Sequence, residues 1–438
     1  MRAVCIMLCA ATLSAAPLEL SLKRAVQLAV SPEGSTRVKL AEESRKQADS
    51  RSTQAKAALL PDLSAGFNVQ SLTRNLASVG IGVGALIPIP GFKFPTFVGP
   101  FTALDARVSA SQSILDFSLL RRYQASKVVA ASARSEVRGS EETVAAQVAR
   151  AYLSAVRADA DVEVAKANLA LSEAVLRQAE NQKAAGIGTG IEITRARVQM
   201  ANDRQRLLVS ENARRAAGLQ LLRAIGLRLD TELSLTDKLQ YIPVDTLTLE
   251  QAKAQAMKTR PDLEAQAQRE DGARLSAVAT KLERLPSVAA FGDYGVNGTG
   301  FDAALPTRTV GISVRVPIFD GGRRDARRAE SASQYRAEKV KTGDLKEQIE
   351  LDVRLALDAL HSAEEQVKVA KEGLELAEAE LTQARRRYEA GVAIGVEVTD
   401  AQSRLERARD NQTSALYNYN VGRIDLAQAM GAVRKSVE

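Results

Sequence analysis

His361 is the only histidine in this 438-residue chain, and Cys5 and Cys9 are its only cysteines. That inventory decides most of the chemistry open to the protein. His361 follows the apolar Leu360 in a long helical run, where a place on the surface or in a groove is expected rather than a role as isolated ligand or base. Without a second histidine, and with both cysteines at the extreme N-terminus, the usual zinc sets and His-assisted nucleophiles cannot be assembled. The 53 acidic residues are spread along helical stretches among 60 lysines and arginines, the pattern of a solvated surface laced with ion pairs. The glycine-rich turn Gly186-Ile-Gly-Thr-Gly190 is not a phosphate loop, because a helix and not a strand precedes it and no Lys-Ser/Thr follows. Glu192, Glu397 and Asp400 each fall in the first turns after glycine, where a carboxylate stabilises a helix N-terminus. No enzyme activity, cofactor or metal site is expected.

The elements that carry these residues occur twice. GIGTGIEIT (Gly186 to Thr194) returns as GVAIGVEVT (Gly391 to Thr399), and VAKANLALSEA (Val164 to Ala174) returns as VAKEGLELAEA (Val369 to Ala379), both at an offset of 205 residues. Ile225-Gly226 and Met430-Gly431 close the two halves at the same offset, so the repeat covers most of each half.

The N-terminus reads as an export signal. Arg2 precedes an apolar run from Ala3 to Leu13, and Ser14, Ala15 and Ala16 follow, with cleavage expected near Ala16. Both cysteines lie inside this leader, so the mature chain is expected to hold neither disulfide nor thiolate. No later apolar run is long enough for a membrane-spanning helix, so entry into a membrane would require a closed β-barrel. The formal charge of +7 is a modest excess of basic over acidic residues, without the interleaved aromatics of a nucleic-acid surface. Tryptophan is absent and aromatics are few, so burial leans on Ala, Leu and Val.

The middle of each half reads as a long helix with a heptad seam. Val353, Leu360, Val367, Leu374, Leu381 and Tyr388 are seven apart, and Ala356, Ala363, Ala370, Ala377 and Ala384 fall three residues after the first five. The first half repeats this with Val148, Ala155, Val162, Leu169 and Leu176, interleaved with Ala151, Ala158, Ala165, Ser172 and Ala179. After the second glycine turn, Val398, Leu405, Gln412, Tyr419 and Leu426 alternate with Ala401, Ala408, Ala415, Gly422 and Ala429. Alanine at every second seam position lets neighbouring helices approach closely. Each repeat therefore holds a helical hairpin whose tip is the glycine turn. From Ser118 to Ala184 no proline intervenes, which allows a helix of about 67 residues, or roughly 100 Å. The returning helix, Ile191 to Gly226, reaches only about half of that. Leu249 to Leu285, restarted at Pro261, can supply the missing length, and Leu20 to Leu60, interrupted at Pro32 and Gly34, can do so for the second repeat.

Both of these upper stretches end in Leu-Pro, at Leu60-Pro61 and Leu285-Pro286, and there the period changes to two. Leu63, Ala65, Phe67 and Val69 alternate with Ser64, Gly66, Asn68 and Gln70; Val310, Ile312, Val314, Val316 and Ile318 alternate with Thr309, Gly311, Ser313, Arg315 and Pro317. With further runs near Leu104 to Ile114 and Val288 to Val296, each chain has four strands in two hairpins. One apolar and one polar face suit a barrel with lipid outside and water inside, or two hairpins laid on a soluble core. Four strands cannot close a barrel, which needs about eight, so the membrane alternative requires an oligomer. The Gly80–Pro100 loop, rich in Gly, Pro and Phe, would then be extracellular, and the basic cluster Arg323, Arg324, Arg327 and Arg328 could meet lipid phosphates or simply charge a helix start.

The leader, the paired strands, the long hairpins and the tips AGIGTGIEIT and YEAGVAIGVEVTDA together resemble the TolC-type outer-membrane efflux proteins over nearly the whole mature chain. The resemblance implies a mainly α fold with membrane β structure and internal duplication: long antiparallel coiled-coil helices forming a periplasmic α-barrel, and four strands per protomer contributing to a trimeric 12-stranded β-barrel. It implies a homotrimer in outer-membrane lipid, with a long periplasmic extension. Such a protein is the passive exit duct of a tripartite efflux or type I secretion system, fed by a periplasmic adaptor (membrane fusion) protein and an inner-membrane RND pump or ABC exporter, and it binds no nucleic acid. The division expected is a signal peptide at 1–16, a first repeat at 17–226 (strands about 62–72 and 103–115, hairpin about 118–226), an equatorial connection at 227–248, and a second repeat at 249–438 (strands about 287–298 and 307–318, hairpin about 323–431).

By the same resemblance the tips form the periplasmic entrance. Family members place acids just after the second-repeat turn, lining a constriction, and the matching positions are Glu397 and Asp400, with Glu192 after the first turn and Tyr388 at a family tyrosine of the gating network. In a trimer each acid becomes a ring of like charge that attracts cations; each also suits a helix N-terminus, and Tyr388 also ends the heptad seam. Gly186, Gly190, Gly391 and Gly395 mark the hairpin tips where an adaptor would dock. The family prototype has an arginine in the second turn where this chain has Ala393, so its salt-bridge lock does not carry over. The two tips also differ, Lys183 standing where the second has Tyr388 and Arg195 where it has Asp400, which puts the constriction on the second. The alternative class is a soluble periplasmic coiled-coil adaptor or scaffold, which would fractionate without detergent.

Overall fold

The structure, a computed structural model, describes residues 18–31, 33–79, 97–186, 188–243 and 247–437. The expected leader with Cys5 and Cys9 lies outside these residues, as does the Gly80–Pro100 loop up to residue 96. In chain order the elements are β1 (Leu18–Leu20), α1 (Leu22–Val30), α2 (Thr36–Ala57), β2 (Asp62–Asn75), β3 (Phe97–Leu115), α3 (Phe117–Ala184), α4 (Gly190–Ile225), β4 (Leu233–Leu235), α5 (Leu249–Thr259), α6 (Pro261–Leu282), β5 (Ser287–Gly298), β6 (Leu305–Arg315), α7 (Arg323–Glu389), α8 (Gly395–Ala429) and α9 (Val433–Val437). The long helices run unbroken, 68 residues in α3 and 67 in α7, because neither contains a proline. Pro261 restarts the chain as the first residue of α6, where its missing N–H costs no intrahelical bond.

Two compact units emerge. The first takes in the chain up to Arg45, Ala133–Ala265 and the chain from Thr342 onward. Its cores are the heptad seams. Val353, Leu360, Val367, Leu381 and Tyr388 are buried on α7, as are Val398, Leu405, Tyr419 and Leu426 on α8, with alanines between them. Small residues set the spacing: a Cβ added to Gly422 of α8 would stand 3.5 Å from the Cα of Leu360. A wider core gathers Val144, Val148, Tyr152 and Val156 of α3 with Leu221 and Ile225 of α4 and Val433 of α9.

The Leu20–Leu60 stretch is interrupted where expected. The chain breaks between α1 and α2, and Ala25, Val26 and Ala29 of α1 join the wider core. The cause is the spacing of Leu22, Ala25, Val26 and Ala29, which makes one apolar stripe on a short helix. β1 ahead of it pairs in parallel with β4, Leu18 opposite Leu233, an element the periodicity did not announce.

The second unit takes in Lys46–Ser132 and Gln266–Lys341. Its four strands form one antiparallel sheet in the order β2-β3-β5-β6, so the hairpins of the two repeats join through β3 and β5. The register sorts the side chains onto two faces. Ala65, Val108 and Tyr294 share a row, as do Leu63, Ala110, Gly292 and Val310, and these rows carry the apolar face. The intervening rows bear Ser64, Ser109, Asp293 and Thr309, and Arg107 on this face pairs with Asp293 at 3.2 Å and with Asp105. The apolar face is open to its surroundings: Leu63, Tyr294, Val310 and Ile312 are each at least 66% exposed. β3 begins at Phe97, ahead of the expected start, and β6 stops at Arg315 short of Ile318. Pro317 explains the stop, since it has no N–H for the ladder. The basic cluster is partly neutralised, Arg324 by Asp320 at 3.5 Å and Arg327 by Glu283 at 3.2 Å. Among the described residues no helix is long and apolar enough to cross a membrane.

Gly66 and Gly295 stand in one row of the sheet on either side of Arg107, yet they differ in the space around them. A Cβ on Gly295 would run into the Ala106 carbonyl oxygen, whereas one on Gly66 meets nothing within 4 Å. Gly295→Ala is therefore expected to reduce the yield of folded protein severalfold, and Gly66→Ala to leave it near wild type. Quantifying both variants in envelope fractions checks this; equal yields would contradict the register.

Candidate functional site

The helical unit brings the two glycine turns together. At the first tip α3 ends at Ala184, and Gly186 takes φ 80°, a left-handed conformation that glycine adopts without steric cost. Its N–H donates to the Lys183 carbonyl at 3.0 Å, and the N–H of Gly188 donates to that of Gln182 at 3.0 Å. Gly188 is needed for this closure, because a Cβ there would sit 2.8 Å from the Lys183 nitrogen. At the second tip Gly391 has φ 71°, its N–H donates to Tyr388 O at 3.0 Å, and the Val392 N–H donates to Arg387 O at 3.0 Å. Both turns share the bond made by their left-handed glycine, and Gly188, where the second tip has Ala393, adds its own to the Gln182 carbonyl. Gly190 and Gly395 open the returning helices.

Glu192 joins the tips. One carboxylate oxygen accepts from the Thr189 N–H at 3.0 Å, the returning half of a capping box, and the other accepts from the Gly395 N–H at 3.4 Å. A Cβ on Gly395 would touch that carboxylate at 3.4 Å, so glycine at this position leaves the approach open. Gln182 adds a second link, its side-chain amide donating to Tyr388 O at 3.5 Å. Tyr388 packs among Val175, Ala384, Val398 and Ala401, and burial, followed by the nearby Glu192 charge, pushes its phenol above the ordinary range. It is neutral at physiological pH.

The other two acids are placed differently. Glu397, in the first turn of α8, is half-exposed and lies 3.6 Å from the Arg387 guanidinium. Asp400, one turn on, is exposed and has no ion-pair partner among the described residues. Glu192, Tyr388, Gly391 and Gly395 thus meet at one place, while Glu397 stands on the second tip beside Arg387 and Asp400 faces outward. His361 is exposed on α7, away from any such cluster.

Farther along the same helices lies a polar cluster that sequence reasoning missed. Asp203 and Gln199 on α4 meet Glu406 on α8, and Arg206 pairs with Glu406. Asp203 and Glu406 are 1% and 5% exposed. A signal existed: by the 205-residue offset Asp203 occupies the seam place that Ala408 holds in the second repeat.

Comparison with known proteins bears on the whole chain. The sequence model of the family described as "Outer membrane efflux protein" matches residues 33–227 and 253–432. A pyoverdine export outer membrane protein, OpmQ of Pseudomonas putida, is 24% identical over 402 residues, covering 88% of this chain and 81% of that protein. The outer membrane protein TolC of Vibrio cholerae is 24% identical over 345 residues, 75% of this chain and 77% of its own length. Among solved structures, the outer membrane protein VceC of Vibrio cholerae superposes with a TM-score of 0.79 at 18% identity, covering 94% of this chain and 96% of that one.

Proposed function

The chain belongs to the outer membrane efflux protein family, and from that premise we propose that three copies close one channel in the outer membrane and that the acids of the second tip guard its entrance. The protein is a passive exit channel for efflux or secretion and not an enzyme. The observation that supports a trimer is the two-faced sheet with two open edges. β2 and β6 each have a neighbour on one side only, and an unpaired edge in hydrocarbon costs several kcal/mol for each bare backbone group. Three sheets joined β6 to β2 make twelve strands, enough to close, with Leu63, Tyr294 and Ile312 toward lipid and the Arg107–Asp293 pair toward water. Native mass measurement in detergent is expected to find three copies. A monodisperse monomer recovered without detergent would instead favour a soluble coiled-coil scaffold.

An adaptor docks on the hairpin tips around Gly186, Gly190, Gly391 and Gly395, and energy comes from an inner-membrane partner, either a proton-driven pump or an ATP-driven exporter. Opening separates the tips, which the alanine seams and the few hydrogen bonds of Glu192 and Gln182 support. Cysteines introduced at the tips and cross-linked between protomers are expected to stop transport, and undiminished transport would rule this opening out.

Asp400 is the best placed of the acids to present a ring of charge, being exposed and unpaired, with Glu397 second because Arg387 offsets it. Changing both to alanine is expected to lower the cation preference of single channels severalfold in bilayer recordings. Unchanged selectivity would assign these acids to their helix N-terminus alone.

A further inference from the structure

The Asp203–Glu406 cluster holds more negative charge than its surroundings neutralise. The Gln199 amide nitrogen donates to both carboxylates, at 3.2 Å to Asp203 and 3.1 Å to Glu406. Arg206 binds Glu406 directly and stands 3.9 Å from Asp203. Two carboxylates therefore share one amide and one guanidinium. The same oxygen of Asp203, Oδ1, takes both of those approaches, and Oδ2 is buried with no hydrogen-bond partner. Ser172 faces Asp203 from α3 and works to lower it, while its hydroxyl donates to the Leu169 carbonyl at 3.0 Å. An orphaned carboxylate oxygen in such a place is unfavourable if charged, and a proton on it removes both the charge and the repulsion from Glu406.

We propose that Asp203 Oδ2 is a proton-binding site whose occupancy holds α4 against α8. With the proton bound, Asp203 and the Glu406–Arg206 pair sit side by side and the seam is closed. With the proton lost to water, two adjacent buried carboxylates face one guanidinium and α4 loosens from α8. The proton has a path, since Asp203 lines a groove of about 520 Å³ between α3, α4 and α8.

The charges around the site leave this balance intact. From α3 the groove receives Arg157 and Asp161, which lie 3.8 Å from each other. α8 contributes Asp410, and its Arg409 donates to Asn168 of α3 at 2.7 Å. From α4, Arg206 meets the pair. Burial is the largest influence on both acids and raises both: on Asp203 it outweighs Ser172, Gln199 and Arg206, and on Glu406 burial and the Asp203 charge outweigh Arg206 and Gln199. The sign follows. Both groups have folded-state values above their unfolded ones, so their contribution to the seam is fully present below the ordinary carboxylate range. It is lost as pH rises through the raised values, where the folded protein would otherwise hold more protons than the unfolded chain.

The test is hydrogen exchange, followed by mass spectrometry, on the full-length protein in detergent at about pH 5 and about pH 8, corrected for intrinsic rates. Protection of 196–210 on α4 and 400–412 on α8 is expected to fall with pH by roughly tenfold for each unit by which the pair is raised. In Asp203→Asn the change with pH should vanish and protection at both values stay near the wild-type level at low pH. A variant that keeps the wild-type pH dependence would overturn the proposal, as would a wild-type seam indifferent to pH. Should Asp203→Asn fail to assemble, Glu406→Gln removes the repulsion but leaves Asp203 buried, so it is expected to weaken the dependence without abolishing it, and an undiminished dependence would overturn the proposal. Infrared spectroscopy of the wild type supplies an arm that needs no variant: a protonated-carboxyl band persisting above the ordinary carboxylate range supports the site, and its absence there removes it.

Discussion

Replacing Tyr152 with alanine is expected to cost the helical unit about 3–5 kcal/mol and to strip most of the protein from the outer-membrane fraction. Tyr152 is fully buried at the centre of the wider core, so truncation leaves a cavity ringed by Leu20, Val148, Leu221 and Ile225 that the long helices cannot collapse to fill. The ring is half of the effect. Its hydroxyl lies 2.9 Å from both the Leu20 carbonyl oxygen and an Asp237 carboxylate oxygen, and it accepts from the Asp237 N–H at 3.3 Å. The same Asp237 oxygen accepts from the Leu22 N–H at 2.7 Å. One phenol therefore ties the start of the chain to the segment after β4, elements more than 200 residues apart in sequence. Burial, then the hydrogen bond with Asp237, pushes that phenol far above its ordinary range, so it stays a donor at every physiological pH. Tyr152→Phe keeps the packing and removes the knot, for about 1–3 kcal/mol. Denaturant midpoints of the two variants in detergent separate packing from hydrogen bonding; an alanine variant no weaker than the phenylalanine one would show that the ring carries nothing.

Arg260→Ala is the second large loss, roughly 2–4 kcal/mol once the partial exposure of the partners is discounted. The guanidinium, 13% exposed, forks onto both oxygens of Asp262, at 3.1 and 2.7 Å. It also reaches Asp352 of α7 at 2.9 Å and the Ala429 carbonyl of α8 at 3.4 Å. Without it two carboxylates and a helix C-terminus converge with no cation between them where α5, α6, α7 and α8 meet. Arg260→Lys restores the charge but not the fork, so it should recover only part of the stability. A pH signature accompanies the loss. Burial works to raise Asp262, but the hydrogen bonds and charge of Arg260 outweigh it and hold the carboxyl below its ordinary range. Its contribution is thus present above the unfolded carboxylate value and disappears as pH falls through the lowered one. Thermal midpoints of wild type and Arg260→Ala should therefore converge in acid and differ most near neutrality. A constant difference across that window would assign the loss to packing alone.

The features legible in the sequence are those whose cause is local. A heptad seam is visible because Val353, Leu360, Val367, Leu374 and Leu381 lie seven apart, and all are buried except the half-buried Leu374. The strands are visible because Leu63, Ala65 and Phe67 alternate with polar residues, and Leu-Pro marks where one period yields to the other. Gly186 and Gly391 were legible as turns because few other residues take a left-handed backbone cheaply. At the tips the sequence named candidate residues without their contacts. Glu192 is bound to the second tip through Gly395, Tyr388 is core, and Arg387 faces Glu397. None of these partners is a neighbour in sequence on a shared helix face, so no spacing rule reaches them.

By itself the sequence determined a duplicated chain of long seamed helices, four two-faced strands and two glycine tips, since each follows from periodicity or from a residue with a restricted backbone. Only the tertiary structure decided that β1 pairs with β4, that α1 joins the wider core, that Glu192 reaches Gly395 of the other tip, and that Asp203 meets Glu406 across two helices. These depend on the register at which one long helix lies along another. A shift of one residue there changes every partner while leaving the apolar pattern of each helix intact, and for that reason the pattern alone cannot specify it.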